Sequence, residues 1–439
     1  METKPVKQPE STPAIFVDNR LFCMTVSEKI QETEPEIMSE KPKPIAAYDQ
    51  PHQFEPLLPA LNLDGLIEAT RRVFEKSALL RASASPEARD ALRAIVRSMN
   101  SYYSNSIEGQ GTHPANIERA LRHDFSEKPD VAMRQRVAVA HIEAEQELEH
   151  LVTTEAAALS SDFLLRAHAS LYGRLSEEDR RTEDGRIVVP GELRKHDVSV
   201  GRHQPPTWQS VPLFLKRMDE RYGQLKGVDA VLYTIASAHH RMAWTHPFED
   251  GNGRAVRLQS HCALFPLSGG LWSPNRALAR QRQRYYEMLD NADSARQGDL
   301  DGRGNLSQKM LWEWCRYFIE LCEDQVTFMA TMLDLPKLKD RIRAYVLVKG
   351  TTDGISEYRE EAVFPLQTVA TTGSVARGDF IRMTGLEERT ARKVVSRFLA
   401  DGLLKSDGHR SELSIGFPMS SLNILFPNLY PEAATAALE

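Results

Sequence analysis

The sequence predicts a mainly α-helical protein built in two globular parts, and three observations carry that reading. Apolar residues recur at helical spacing from Asn62 to about Leu171, and the helical pattern returns from Val231 to Met332. Between these stretches, residues 184–212 break the pattern with glycine, proline and short alternating β-formers. After Pro336 the composition changes again, in a chain whose 439 residues exceed one ordinary core.

Residues 1–55 are rich in Pro, Glu, Lys and Gln without periodicity, which predicts a flexible or loosely docked arm with no chemistry of its own. The first helical region follows, with Leu66-Ile67, then Ala91, Leu92, Ile95, Val96 and Met99, then Val137, Ala140, Ile142, Leu148 and Leu151. Residues 185–206 read as a small β-hairpin flap. Two helices, Val231–His246 and Arg254–Phe265, flank Pro247–Gly253, and a long helix covers Gln308–Met332. These elements make one domain over residues 56–335. In 336–439, the run from Asp379 to Lys405 reads helix, turn, helix, strand, the pattern of a winged helix-turn-helix. No internal repeat of 20 to 50 residues is visible.

Composition narrows the class. Hydrophobic residues at 41% and charged residues at 26% describe a folded globular chain. A formal charge of -6 gives no whole-chain drive toward nucleic acid or an anionic membrane. The cysteines, at 23, 262, 315 and 322, form no Cys-x-x-Cys pair, which predicts buried free thiols in a reducing cytoplasm. No basic segment precedes a long apolar one, and no run approaches the roughly 20 apolar residues of a membrane span.

The most informative segment is His246-Pro-Phe-Glu-Asp-Gly-Asn-Gly-Arg-Ala-Val-Arg257. Two glycines around Asn252 allow positive φ angles that aim successive N–H groups into one concavity, a nest for anionic oxygens. A helix starting near Arg254 adds its positive dipole end to the same place. Arg254 and Arg257, three apart, can lean toward one polyphosphate. Asp250 is a hard oxygen ligand suited to Mg²⁺ beside phosphates. His246, before the loop, is an imidazole able to take a proton from a hydroxyl near neutral pH. The set predicts a nucleotidyl-transfer site; Phe248 reads as a core anchor for the loop.

This segment resembles, at every defined position, the signature of Fic domains, His-x-Phe-x-Asp/Glu-Gly-Asn-Gly-Arg-x-x-Arg. The resemblance covers roughly residues 56–330 and implies a helical core that transfers AMP from ATP to a Ser, Thr or Tyr hydroxyl of a protein target, itself included. It assigns His246 as general base and Asp250 as Mg²⁺ ligand. Gly251, Asn252 and Gly253 become the α- and β-phosphate cradle, and Arg254 and Arg257 hold the outer phosphates. A phosphorylating branch has lysine where Gly253 stands, so the resemblance is to the AMP-transferring branch. The flap resembles the family's β-hairpin, with Val200, Gly201, Arg202 and His203 against the nucleotide and an edge for strand addition. Tyr285 and Tyr286 resemble a segment flanking adenine, and His239 matches a histidine upstream of the loop.

Ser104-Asn-Ser-Ile-Glu108-Gly109 places Ser104 and Glu108 on one helix face, with Gly109 as a stop. It resembles the N-terminal inhibitory helix of Fic proteins, here around 98–109. That implies a Glu108–Arg257 pair in the place of the γ-phosphate, and some relatives use the same glutamate to remove AMP. From Arg377 to Arg410, eight basic residues face five acidic ones, with Arg389, Arg392, Lys393 and Arg397 along one helix. This shape is compatible with DNA contact, with protein contact or with a homodimer. A DNA-binding regulator with a nucleotide-sensing domain, a de-AMPylase and transfer of another nucleotide stand as alternatives to the transferase.

Overall fold

The computed structural model describes residues 47–83 and 86–433. Most of the expected N-terminal arm, with Cys23, lies outside the described residues, as do 434–439. The chain is mainly helical, as its periodicity predicts.

The first helices are α1 (Leu63–Ala82), α2 (Pro86–Ile107), α3 (Pro114–Leu121), α4 (Pro129–Leu151), α5 (Glu155–Ala158) and α6 (Ser161–Tyr172). An irregular stretch leads to α7 (Val211–Tyr222), α8 (Val231–Thr245), α9 (Asn252–Ser268), α10 (Asn275–Arg280), α11 (Arg282–Ala292) and α12 (Gln308–Met332). Side-chain caps fix several starts: Ser160 Oγ accepts from Phe163 N, and Ser307 Oγ from Met310 N. The surface helix α1 buries one stripe, Leu66, Ala69, Val73 and Leu80, and packs along α12. By contrast α8 and α9 are buried on almost all sides, α8 against α7, α9 and α12, and α9 against α4, α5, α6 and α8. The loop between them therefore has its backbone fixed from several directions. Trp272, Trp314, Phe214 and Phe248 fill the surrounding core, and Cys262, Cys315 and Cys322 are buried free thiols in it.

Residues 185–206 pair only locally. Arg181 bridges Ile187, and Val200 and His203 exchange both backbone hydrogen bonds across Gly201-Arg202, so the expected hairpin is formed only at its tip. Pro190, Pro205 and Pro206 lack the N–H a continuous ladder needs.

The C-terminal segment holds α13 (Leu335–Thr351), α14 (Val363–Thr372), β1 (Ser374–Val375), α15 (Arg377–Thr384), α16 (Glu388–Ala400), β2 (Leu404–Lys405), β3 (Leu413–Ile415) and α17 (Met419–Leu425). The strands form an antiparallel sheet in the order β1-β3-β2, with Ser414 opposite both Ser374 and Lys405. Gly385, at φ +66, turns the chain between α15 and α16. On α16, Arg392 pairs with Glu388 and Arg397 with Asp401, so two of its four basic residues are already balanced within the helix. Residues 428–430 pack on α2 and α10. Tyr103 Oη donates to Leu429 O at 2.9 Å, Arg276 Nη2 donates to Asn428 O at 2.7 Å, and the Tyr430 ring meets Tyr102 edge-on at 5.3 Å.

Candidate active site

Helix α8 ends where His246 takes a left-handed conformation, φ +47, with its N–H on Met242 O and Ala243 O. A non-glycine residue holds such a φ only when its surroundings fix it. Arg194, fully buried, supplies that constraint from the flap: its Nε donates to His246 O at 2.8 Å and its backbone N–H to Pro247 O at 2.9 Å. Phe248 then plunges into the core as the loop's anchor. Its N–H donates to Asn252 Oδ1 at 2.8 Å while Asn252 Nδ2 donates back to its carbonyl at 2.9 Å, closing the loop on itself. Thus the Asn252 side chain is spent on the loop, and only its backbone N–H faces outward chemistry.

Beneath the loop lies a stack the sequence does not announce. His168 on α6 stacks on Phe248 at 3.9 Å and on Tyr172 at 4.5 Å. Its Nδ1 accepts from Gly191 N at 2.9 Å, which leaves Nε2 to donate to Asp250 O at 3.1 Å. Burial pushes His168 down to about 4, which keeps it in that neutral form.

Gly251, at φ +78, is the N-cap of α9, and a Cβ there would run into the Tyr172 ring. It offers no side-chain cap, so the first N–H groups of α9, from Asn252 to Arg254, are left as donors at the positive end of a 17-residue helix. The expectation of positive φ at both loop glycines is corrected at one of them. Gly253 already lies in the first turn of α9, and a Cβ there would displace the ends of the Glu108 and Arg257 side chains, coming 2.9 Å from Arg257 Nη1.

Three groups bind Arg254. Its Nη2 donates to Tyr172 Oη at 2.7 Å and to Asp250 Oδ2 at 3.1 Å, and its Nη1 to Gln110 Oε1 at 2.8 Å. Tyr172 Oη donates in turn to the same Oδ2 at 2.8 Å. Burial alone would raise Asp250, but the Arg254 guanidinium and the Tyr172 hydroxyl hold its carboxyl below the usual range. Arg257, 1% exposed, bonds elsewhere: Nε to Ser104 Oγ at 2.9 Å, Nη2 to Ser104 O at 3.1 Å and to Glu108 Oε1 at 2.5 Å. The two arginines expected to share one anion therefore have separate anchors here, although Glu108 feels both. Its burial opposes ionisation, and Arg257 and Arg254 still hold it below the usual carboxylate range.

His246 sits at the mouth of this arrangement. Burial, then His203 and Arg194, push it down to about 4, and among the described residues none hydrogen-bonds its ring. Such an imidazole is neutral and can accept a proton at neutral pH.

The remaining expected residues are placed as follows. Val200, 41% exposed, and Gly201 and Arg202 form the flap tip, with Arg202 paired to Asp290. His203 Nε2 bonds Trp244 O at 2.7 Å, near His246. Tyr285 is core, its hydroxyl 2.9 Å from His239 Nε2, and His239 Nδ1 in turn meets Ser260 Oγ at 2.8 Å. Tyr286 is half-exposed and donates to Ile107 O at 3.2 Å, the last carbonyl of α2 before Glu108. Tyr172, His168, Gln110 and Arg194 join the site without a sequence motif that marks them. A histidine and tyrosine four apart on an amphipathic helix carry only the signal of sharing a face.

Comparison with known proteins places this geometry. Residues 158–264 match the sequence model of the Fic/DOC family, a span that holds α6, the flap and the whole 246–257 loop. Protein adenylyltransferase Fic of Drosophila persimilis is 32% identical over 118 residues, 26% of this chain and 21% of that protein. The protein of the same name from Drosophila grimshawi is 33% identical over 115 residues, 26% of this chain and 22% of that one. The chain thus spans about a fifth of the length of the curated relatives it matches. A crystal structure of a Fic family protein from Desulfovibrio desulfuricans G20 aligns over 82% of this chain and 98% of that one, at 15% identity and a TM-score of 0.49. Over residues 158–264 the sequence is thus similar to the Fic/DOC family, and the loop at 246–257 lies inside that span.

Proposed function

We propose that this chain transfers AMP from ATP to a hydroxyl of a protein target and that Glu108 holds the site inactive until displaced. The observation that carries this reading is the meeting of His246, Asp250 and the uncapped start of α9 with an arginine already occupied by a carboxylate. In the reaction, His246 takes the proton of the target hydroxyl. The hydroxyl oxygen then bonds to the α-phosphorus as the bond to the β-phosphate bridging oxygen breaks, and pyrophosphate leaves. The N–H groups of Asn252 to Arg254 cradle the α- and β-phosphates, and Arg254 and Arg257 take the outer charge. The relatives named protein adenylyltransferase support this chemistry over simple nucleotide sensing.

Asp250 fits a divalent ion. Tyr172 and Arg254 both bond its Oδ2, no side-chain donor among the described residues bonds Oδ1, and the carboxyl is held ionised. Mg²⁺ bound there would neutralise phosphate charge as it builds on the leaving group. Val200 to His203 at the flap tip and Tyr286 beside Glu108 would border the nucleotide, and Tyr285 would support Tyr286 from the core. We also propose a boundary at 335/336 and read the segment after it as a winged helix-turn-helix.

With α-labelled ATP and Mg²⁺, Glu108→Gly should label protein at least about tenfold faster than the unaltered chain, a release of ~1.4 kcal/mol. Adding His246→Ala to that variant should abolish labelling. Equal labelling by Glu108→Gly and the unaltered chain would remove the brake from this reading; labelling that survives His246→Ala would remove the base.

A further inference from the structure

One turn below the Arg257–Ser104 contact, a second polar cluster lies entirely inside the protein and takes no part in the chemistry above. His261 follows Arg257 by four residues on α9, and Asn100 precedes Ser104 by four on α2. Between them α4 presents His141, Glu145 and Glu149 at successive turns of one face. His141, Asn100, Glu145 and His261 are fully buried, and Glu149 is nearly so. The ligand atoms of Glu145, Glu149 and His261 all lie within 4.8 Å of one another. His261 Nε2 is 2.9 Å from Glu149 Oε1 and 3.3 Å from Glu145 Oε1.

A proton on His261 does not account for this cluster. A protonated His261 offers Nε2–H to Glu149 and Nδ1–H toward the Asn100 amide, 3.4 Å away, and this still leaves Glu145 Oε2 and both ring nitrogens of His141 without a hydrogen bond. Polar atoms without hydrogen bonds at such depth are uncommon, and a buried imidazole with neither nitrogen hydrogen-bonded more so. His141 Nδ1 lies 3.8 Å from Glu145 Oε2, too far for a hydrogen bond. The spacings of 2.9 and 3.3 Å at His261 are close to those of neighbouring ligands around one ion held by bonds of about 2 Å.

We propose that Glu145, Glu149 and His261 form a buried site for one zinc-class transition-metal ion, with His141 beside it on α4. An imidazole with two carboxylates matches the borderline N/O preference of that class rather than the all-oxygen preference of Mg²⁺ or Ca²⁺. Arg97 takes Glu149 Oε2 at 2.7 Å, which aims Oε1 into the cluster and offsets part of the carboxylate charge. The ion joins α4 to α9, with α2 beside it through Asn100, behind the active-site loop but separate from Asp250.

The test is elemental analysis and thermal melting of the full chain, purified without affinity-tag histidines, loaded with Zn²⁺ and desalted. The expected result is about one tightly held zinc per chain, and a melting temperature that falls on treatment with dipicolinate and returns with Zn²⁺ but not with Mg²⁺. His261→Gln and Glu145→Gln should lose the ion while Asp250→Ala keeps it. Less than about 0.1 zinc per loaded chain, with a melting point indifferent to chelator, overturns the proposal whether or not the variants fold. Loss of the ion in Asp250→Ala with retention in His261→Gln also overturns it.

Discussion

Tyr172 occupies a position that no spacing argument reaches. Its hydroxyl donates to Asp250 and accepts from Arg254, so one oxygen orients both an acid and a base of the loop. Tyr172→Phe keeps the ring that backs Gly251 and removes only that oxygen. In the Glu108→Gly background it should slow labelling about tenfold and shift the Mg²⁺ requirement upward, since Asp250 loses a fixed partner worth ~1–2 kcal/mol. A magnesium titration of labelling rate checks this; an unchanged profile would leave Tyr172 a packing residue. The loop itself was legible because its chemistry is consecutive in the chain. Its supports, His168, Tyr172, Gln110 and Arg194, lie 52 to 144 residues from their loop partners, where only folding brings them in.

At the scale of elements, α2 carries Ser104 on one side and receives residues 429–430 on the other. Tyr102 and Tyr103 receive Tyr430, and Tyr103 also holds the Leu429 carbonyl. Tyr430→Ala should lower stability by about 2–4 kcal/mol through lost ring burial, read as a fall in the urea midpoint with the slope unchanged. A midpoint within error of the parent would mean that the segment around Tyr430 adds nothing to α2. The helices were legible from apolar period, and α8 and α9 from their bounding loop. The flap was legible as an interruption, but its pairing was not, because proline placement decides which N–H groups remain. Docking of 428–433 on α2 leaves no mark in the sequence, since Tyr430 reads as one more aromatic near an end.

Across the whole molecule, buried histidines set the acid side of stability. His239 is pushed down to about 3, His246 to about 4, and His240 is lowered as well, each chiefly by burial. In the unfolded chain each binds a proton near pH 6.5, whereas native His239 and His246 stay neutral down to about 3 and 4. Below 6.5 the unfolded state therefore holds more protons at these sites, and their contribution to stability falls as pH drops toward 4. His239 and His246 each contribute ~1.4 kcal/mol per pH unit inside that window. Urea midpoints should drop between pH 6.5 and 5, and His239→Gln should flatten the slope; a slope that the variant leaves unchanged would rule His239 out as a source.

The contact between Glu108 and Arg257 also has a kinetic reading. On the proposed function, this carboxylate is a ligand of the nucleotide site that is tethered to it, and its rival is the γ-phosphate. A tethered rival acts at an effective concentration set by its short leash, in the millimolar range or above. Free nucleotide must outbid that local concentration before the arginine changes hands. The chain would then respond to the amount of ATP around it, with apparent KM raised by the tether and maximal rate spared to the degree that the two anions exclude each other.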